Sequence, residues 1–204
     1  MALQSEPNLE TYREALSDCL EESEQVLRML NMLMDISEVT AGSVKLEIKE
    51  MNVLALVDHV CEVYRCVAEE KDISIKIDCP DALTMAVDRN RMLQVIANLL
   101  DNAIKYTQPD GVVEITASLN EGNEVALSVR DSGFGIPPED LGKIWDRFYR
   151  GDKSRTQRGL GRGLSLAKAV IQAHRGSIHV FSEVGKGTKF VIHLPAGSST
   201  LQNA

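Results

Sequence analysis

The sequence predicts an α+β fold, a two-layer α/β sandwich preceded by a long N-terminal helix. Residues 9–39 contain no Pro or Gly and repeat apolar side chains at helical spacing. Downstream, segments that alternate apolar and polar residues outnumber the helical ones. Two pairs of these segments are separated by turn residues suited to hairpins. Strands in excess of helices, joined by hairpins, fit a layered sandwich better than a doubly wound parallel sheet.

Taken in order, residues 1–8 read as a loose end and 9–41 as one helix. Its stripes Leu16, Leu20, Leu27, Leu30, Met34 and Val26, Met29, Leu33, Ile36 form an apolar face broader than a two-stranded seam needs. Such a face requires partner helices, so self-association through 9–41 is expected. Gly42 ends the helix and opens a domain over 42–195. Val44, Leu46 and Ile48 alternate as a strand, and Asn52 caps a helix from Val53 to about Glu70. Ile73, Ile75 and Ile77 give a strand, and Asp88 caps a helix reaching about Tyr106. Val113, Ile115, Ala117, Leu119 and Val125, Leu127, Val129 are the inward sets of two strands around a turn at 120–123. Short helical pieces are expected around 138–149, a helix over 163–173, and closing strands over 177–182 and 188–194. Residues 196–204 read as a disordered tail.

The 204 residues suffice for one domain with a sizeable core and an appendage. A net charge of −8 argues against nucleic acid or an anionic membrane as partner. No apolar run approaches the ~20 residues of a membrane span, and the N-terminus lacks the basic start of a signal peptide. The expectation is a cytoplasmic segment without membrane contact, whose parent protein is free to be membrane-anchored. Cys19, Cys61, Cys66 and Cys79 show no CxxC spacing and read as reduced, structural thiols.

Three segments carry chemistry. Asn98 and Asn102, four apart on a helix, place two carboxamides on one face, with Lys105 close by. Amide oxygens suit a hard cation such as Mg²⁺ and the lysine suits phosphate, although a polar helix edge explains the pair equally well. The second segment, Asp131-Ser-Gly133-Phe-Gly135-Ile136, follows a strand directly. Its glycines allow close ligand approach and its carboxylate can accept from an amino group. A tight turn with a capping Asp is the alternative. The third spans 147–163, with six basic residues (Arg147, Arg150, Lys153, Arg155, Arg158, Arg162) against the single acid Asp152. Gly159, Gly161 and Gly163 there lead into a helix whose N-terminus favours phosphate.

In order and spacing these segments resemble the N, G1, F and G2 boxes of sensor histidine kinases, over about residues 10–195. The resemblance implies a Bergerat-type ATP-binding fold with ATP and Mg²⁺ as cofactors. It implies Asn102, helped by Asn98, at the metal, and Lys105 at phosphate. Tyr106 would line the nucleotide pocket and Asp131 would take the adenine amino group, with Gly133, Gly135 and Ile136 shaping the pocket. Arg147 of the F-box match would contact the γ-phosphate, giving Asn98, Asn102 and Arg147 as the catalytic set, while Phe148 would anchor the lid. Gly159, Leu160, Gly161, Arg162, Gly163 and Leu164 would wrap the phosphates, and Thr188 of the closing hairpin completes the nucleotide set. Residues 10–40 resemble the second helix of the family's dimerisation hairpin, and a response-regulator receiver domain is the implied partner.

Two departures stand out. Arg162 occupies a place usually small or apolar, and either adds a phosphate contact or disturbs lid packing. Arg175 replaces a common turn glycine, an exchange read as harmless. Moreover, none of His59, His174, His179 and His193 is followed by the acidic residue expected after a phosphoacceptor. The expectation is therefore a protein histidine kinase catalytic fragment that does not phosphorylate itself. The alternative is a pseudo-kinase that senses nucleotide or binds a partner. Serine kinases and gyrase-type ATPases on the same fold fit less well. The former lack the long hairpin helix, and the latter place a water-activating Glu where this chain has Asn98.

Overall fold

The computed structural model describes residues 12, 13, 16–19, 22, 46–146, 149 and 163–197. The chain divides into two compact units, Met1–Val44 and Lys45–Ala204. In the first, Tyr12, Arg13, residues 16–19 and Glu22 are helical. The remainder of the expected helix over 9–41 lies outside the described residues.

The second unit runs β1 (Ile48–Asn52), α1 (Val53–Glu69), β2 (Ser74–Asp78), β3 (Thr84–Asp88), α2 (Arg89–Tyr106), β4 (Val112–Leu119), β5 (Glu124–Asp131), α3 (Gly163–Ala173), β6 (Ser177–Glu183) and β7 (Gly187–Pro195). Five strands form one sheet in the order β2-β4-β5-β7-β6. β2 pairs parallel with β4, and the other pairings are antiparallel. β1 and β3 form a separate antiparallel ribbon. This is the mixed-sheet sandwich the sequence predicts.

Alternation in the strands decides which face is covered. Val113, Ile115, Ala117, Val125, Leu127 and Val129 are buried, as are Phe190, Ile192 and Leu194 of β7. They meet the apolar stripes of the helices, among them Leu56, Ile96, Leu99, Leu166 and Ile171, all fully buried. Each such side chain contributes about 1.5–3 kcal/mol of transfer free energy. Leu119, also expected to face inward, is only half-buried near the end of β4.

The helix starts are set by local chemistry. Asn52 Oδ1 accepts the Ala55 N–H at 2.8 Å, and its Nδ2 donates to the Asp81 carbonyl at 2.6 Å. Asp88 Oδ1 accepts from Asn90 and Arg91 N–H at 3.0 and 3.1 Å, and Oδ2 accepts the Glu47 N–H at 3.0 Å. The Asp88 N–H in turn donates to His174 Nε2 at 2.9 Å, while His174 Nδ1 lies 2.8 Å from the Val170 carbonyl. These partners require a neutral imidazole protonated at Nδ1. Buried His174 therefore ties the end of α3 to the start of α2.

The structure corrects several expectations. Among the described residues the first strand is Ile48–Asn52, beyond Leu46 and Glu47 of the expected one, because its register is fixed by pairing with β3, from Ile48↔Asp88 to Asn52↔Thr84. β3 itself was not anticipated, although Leu83, Met85 and Val87 alternate and are all buried. Over the described residues 138–146 there are successive turns in place of helical pieces, with Asp140, Lys143 and Asp146 N–H donating to the Pro137, Asp140 and Lys143 carbonyls. Ala196 bridges to Met85, and the Gly197 N–H donates to the Thr84 carbonyl at 2.8 Å. Residues 198–204 lie outside the described residues.

Arg175 is also not a neutral exchange. It follows α3 with φ +60°, in the left-handed region, while Gly176 N–H closes the turn onto the Ile171 carbonyl at 2.9 Å. A side chain costs ~1–2 kcal/mol there, partly offset by the greater unfolded-state freedom of glycine. Arg175→Gly is therefore expected to stabilise the domain by about 0.5–1 kcal/mol, measured as a rise of ~2 °C in Tm. An unchanged or lower Tm contradicts the assignment of strain to this residue.

Candidate functional site

α2 buries Met92, Val95, Ile96, Leu99, Leu100, Ala103 and Ile104. The residues between them, Asn98, Asn102, Lys105 and Tyr106, are half-buried and run along one edge of the helix. The Lys105 ammonium stands 5.4 Å from the centroid of the Tyr106 ring. Asn98 is the informative member. Its Nδ2 is buried and has no hydrogen-bond partner among the described residues. A buried amide without a partner costs ~1–3 kcal/mol, which an arriving ligand atom removes. Nδ2 suits a phosphate oxygen, and with the carboxamide turned over the oxygen suits a cation.

Asn98 faces the start of α3. A Cβ on Gly163 would stand 3.2 Å from Asn98 Oδ1, so glycine there lets the α3 N-terminus approach the carboxamide. The first N–H groups of α3 have no acceptor within the helix and carry the positive end of its dipole. Leu164 follows in that turn, half-buried.

The third component is the loop after β5. Asp131 is buried, and its Oδ1 accepts from the Gly133 N–H at 2.9 Å and the Thr188 N–H at 3.1 Å. No described hydrogen bond falls on Oδ2. Burial pushes the Asp131 carboxyl above its ordinary pKa, against the pull of the Gly133 and Thr188 N–H groups and of Arg130. The ionised form thus has unspent capacity to accept a proton donor.

The loop is closed in from both sides. The Phe134 N–H donates to the Tyr106 carbonyl at 3.3 Å, joining it to the end of α2. Its other side meets the β6–β7 turn, where Gly185 N–H donates to the Phe134 carbonyl at 2.8 Å and Ile136 N–H donates to Ser182 Oγ at 2.8 Å. Glycine is required at the closest approaches. A Cβ at 133 would strike the Tyr106 carbonyl, one at 135 the Glu183 carbonyl, and one at 187 the Asp131 carbonyl.

The structure thus brings together Asn98, Asn102, Lys105 and Tyr106 on one helix edge, and Asp131, Gly133, Gly135, Ile136 and Thr188 in one loop and hairpin. Asn98 links the helix edge to Gly163 and the start of α3. Arg147, Gly159, Leu160, Gly161, Arg162 and the expected anchor Phe148 lie outside the described residues. Sequence reasoning missed Ser182, and it missed Trp145 as an anchor. The Trp145 ring meets Phe190 edge-on at 6.0 Å and carries the Lys168 ammonium 5.4 Å from its centroid. A lone strand serine carries no sequence signal for such a role. Trp145 is the chain's single tryptophan, which was a signal.

Gly185 and Gly187 provide an internal comparison. Both have left-handed φ, +81° and +91°, but a Cβ at 185 meets nothing within 4 Å. Gly185→Ala is expected to cost only the ~1 kcal/mol of backbone strain. Gly187→Ala adds a clash with the Asp131 backbone and should cost about 3 kcal/mol or more in chemical denaturation. Equal costs would contradict the packing of the turn against Asp131.

Residues 87–198 match the family described as histidine kinase-, DNA gyrase B-, and HSP90-like ATPase. The chain is 37% identical over 185 residues to sensor protein SrrB of Staphylococcus aureus, an alignment covering 90% of this chain and 32% of that protein. The chain therefore spans about a third of the length of the curated relatives it matches. Among solved structures, full-length ShkA in complex with AMPPNP is similar with a TM-score of 0.83 at 26% identity, covering 95% of this chain and 40% of that one. Histidine kinase ThkA, solved in complex with response regulator protein TrrA, shares the fold with a TM-score of 0.71 at 24% identity, over 95% of this chain and 54% of that one. With its mixed sheet, its asparagine-bearing helix and its buried aspartate at a glycine loop, the chain belongs to the histidine kinase-, DNA gyrase B-, and HSP90-like ATPase family, as an ATP-binding domain similar to those of sensor histidine kinases.

Proposed function

We propose that this chain is the catalytic region of a sensor histidine kinase, which binds ATP with Mg²⁺ and presents the γ-phosphoryl group to a histidine on a segment outside this chain. The observation that carries the reading is the Asp131 carboxylate. Its Oδ1 is occupied by two backbone N–H groups, which leaves Oδ2 for one further donor, the adenine amino group.

The remaining residues divide the other tasks. Asn102 and Asn98 hold the cation, and the partnerless Asn98 amide fits that placement beside phosphate. Lys105 and the α3 N-terminus neutralise phosphate charge. Bound Mg²⁺ supplies charge neutralisation across phosphate oxygens. Arg147 is proposed for the γ-phosphate, and Gly159, Leu160, Gly161, Arg162, Gly163 and Leu164 for the phosphate-covering loop. Little covalent work falls to the protein in phosphoryl transfer, since position and charge supply most of the rate.

The partner proposals follow the same line. A response-regulator receiver domain receives the phosphoryl group from the parent protein's histidine, and helix 9–41 pairs with a second copy. No described helix is long and apolar enough to cross a membrane, and a cytoplasmic setting is proposed for this segment. The chain is not expected to phosphorylate itself. His174 is buried with both ring nitrogens engaged, which removes it as an acceptor.

Titration calorimetry tests the site. ATP should bind the unsubstituted chain more tightly with Mg²⁺ than without, and Asn102→Ala should abolish that difference. Asp131→Asn should weaken ATP binding at least ~10-fold without lowering Tm, since an amide oxygen still accepts both N–H groups but its NH₂ opposes the adenine amine. Binding indifferent to both substitutions would contradict the reading. Phosphoryl transfer in trans to a protein carrying the first hairpin helix and its histidine would then separate a kinase from a nucleotide sensor.

A further inference from the structure

We infer that Ser182, a residue outside the nucleotide pocket, is a positioning residue that sets the purine specificity of the site. The inference rests on the reading of Asp131 given above and extends it to the residue that aims the carboxylate. A serine hydroxyl has one proton to donate and two lone pairs to accept with. In Ser182 all three are in use. It donates to the Gly187 carbonyl at 2.9 Å, accepts the Ile136 N–H at 2.8 Å, and lies 2.9 Å from Thr188 Oγ1. Because its own proton goes to Gly187, the Thr188 hydroxyl is the donor in the third contact.

These three partners connect both supports of the Asp131 carboxylate. Ile136 ends the loop that begins at Asp131 and whose Gly133 N–H binds Oδ1. Thr188 supplies the second N–H to the same oxygen. Gly187 lies where its missing Cβ would strike the Asp131 carbonyl. Loop and hairpin are 46 residues apart in sequence at the Ile136–Ser182 contact. Among the described residues, the other hydrogen bonds between them are Gly185 N–H to the Phe134 carbonyl and Thr188 N–H to Asp131 Oδ1. Ser182 is half-buried on β6, and a water in place of its hydroxyl would not be fixed to the strand as the side chain is. Removing it leaves the Ile136 N–H and the Gly187 carbonyl without that partner and loosens the two N–H groups that fix the rotation of the carboxylate. A carboxylate whose rotation is no longer fixed does not hold Oδ2 toward the base, and it no longer distinguishes a 6-amino from a 6-oxo purine. Phosphate contacts, made by α2 and α3, do not pass through Ser182.

The test compares ATP with inosine triphosphate, which differs at the purine 6-position and is identical in its phosphates. Calorimetry on the unsubstituted chain with Mg²⁺ should give at least tenfold preference for ATP. Ser182→Ala should lower ATP affinity about tenfold and leave that for inosine triphosphate within about twofold, so the preference collapses. Ser182→Thr, which restores the hydroxyl, should recover most of it. A merely structural role would weaken both nucleotides equally, and that result, or an unchanged preference in Ser182→Ala, overturns the inference while leaving the nucleotide site standing. If the unsubstituted chain shows no ATP binding, both readings fall. Should Ser182→Ala not fold, Ser182→Cys keeps the side-chain volume with a weak donor and is held to the same ratio, and retention of full preference there overturns the inference.

Discussion

A buried carboxylate with one oxygen fixed by two backbone N–H groups is the constraint around which the ligand end of the domain is organised. Asp131 closes β5, so the sheet sets its position. The Gly133 and Thr188 N–H groups set its rotation. To bring those donors in, the 131–136 loop must touch the end of α2 on one side and the β6–β7 turn on the other. Both approaches are close enough to require glycine. In the proposed reading, the asparagine edge of α2 and the glycine start of α3 complete a site with one end for a base and one for phosphates.

The arrangement carries a cost that the ligand-free fold bears. Burial raises the Asp131 pKa, so the ionised form is disfavoured relative to the unfolded chain. A group with a raised folded pKa contributes stability below its unfolded value, near pH 4, and loses it as pH rises through the folded value. Once ionised, the carboxylate is therefore held against the preference of the fold. The orphaned amide of Asn98 is a second such cost. Among the described residues the other buried side-chain atom without a partner is His193 Nδ1, so it is the place of Asn98, opposite Gly163 at the start of α3, that ties its orphaned amide to the proposed phosphate end.

Much of this was legible in the sequence, because much of it is local. Asn52 and Asp88 announce helix starts through hydrogen bonds reaching only two or three residues ahead. The spacing of Asn98 and Asn102, the Asp131 glycine loop and the inward sets of β4 and β5 could be read from periodicity. What was not legible depends on distant partners. β1 belongs to a ribbon in which Ile48 is 48% exposed, so alternation alone could not place it, and β3 fixed its register. The left-handed conformation of Arg175 follows from the turn that docks His174 on Asp88, a contact spanning 86 residues. The Ser182 clamp joins a loop to a hairpin through a side chain with no distinguishing pattern of its own.

The most direct measurement of the central claim is the pKa of the Asp131 carboxyl, followed by carbon NMR with and without adenine nucleotide. The account predicts a value above the ordinary carboxylate range in the free protein. It further predicts a fall on nucleotide binding, because a ligand that donates to the ionised carboxylate must stabilise that form. A carboxyl that titrates normally, or whose pKa does not fall when nucleotide binds, would contradict the claim that this carboxylate is held in place to read the base.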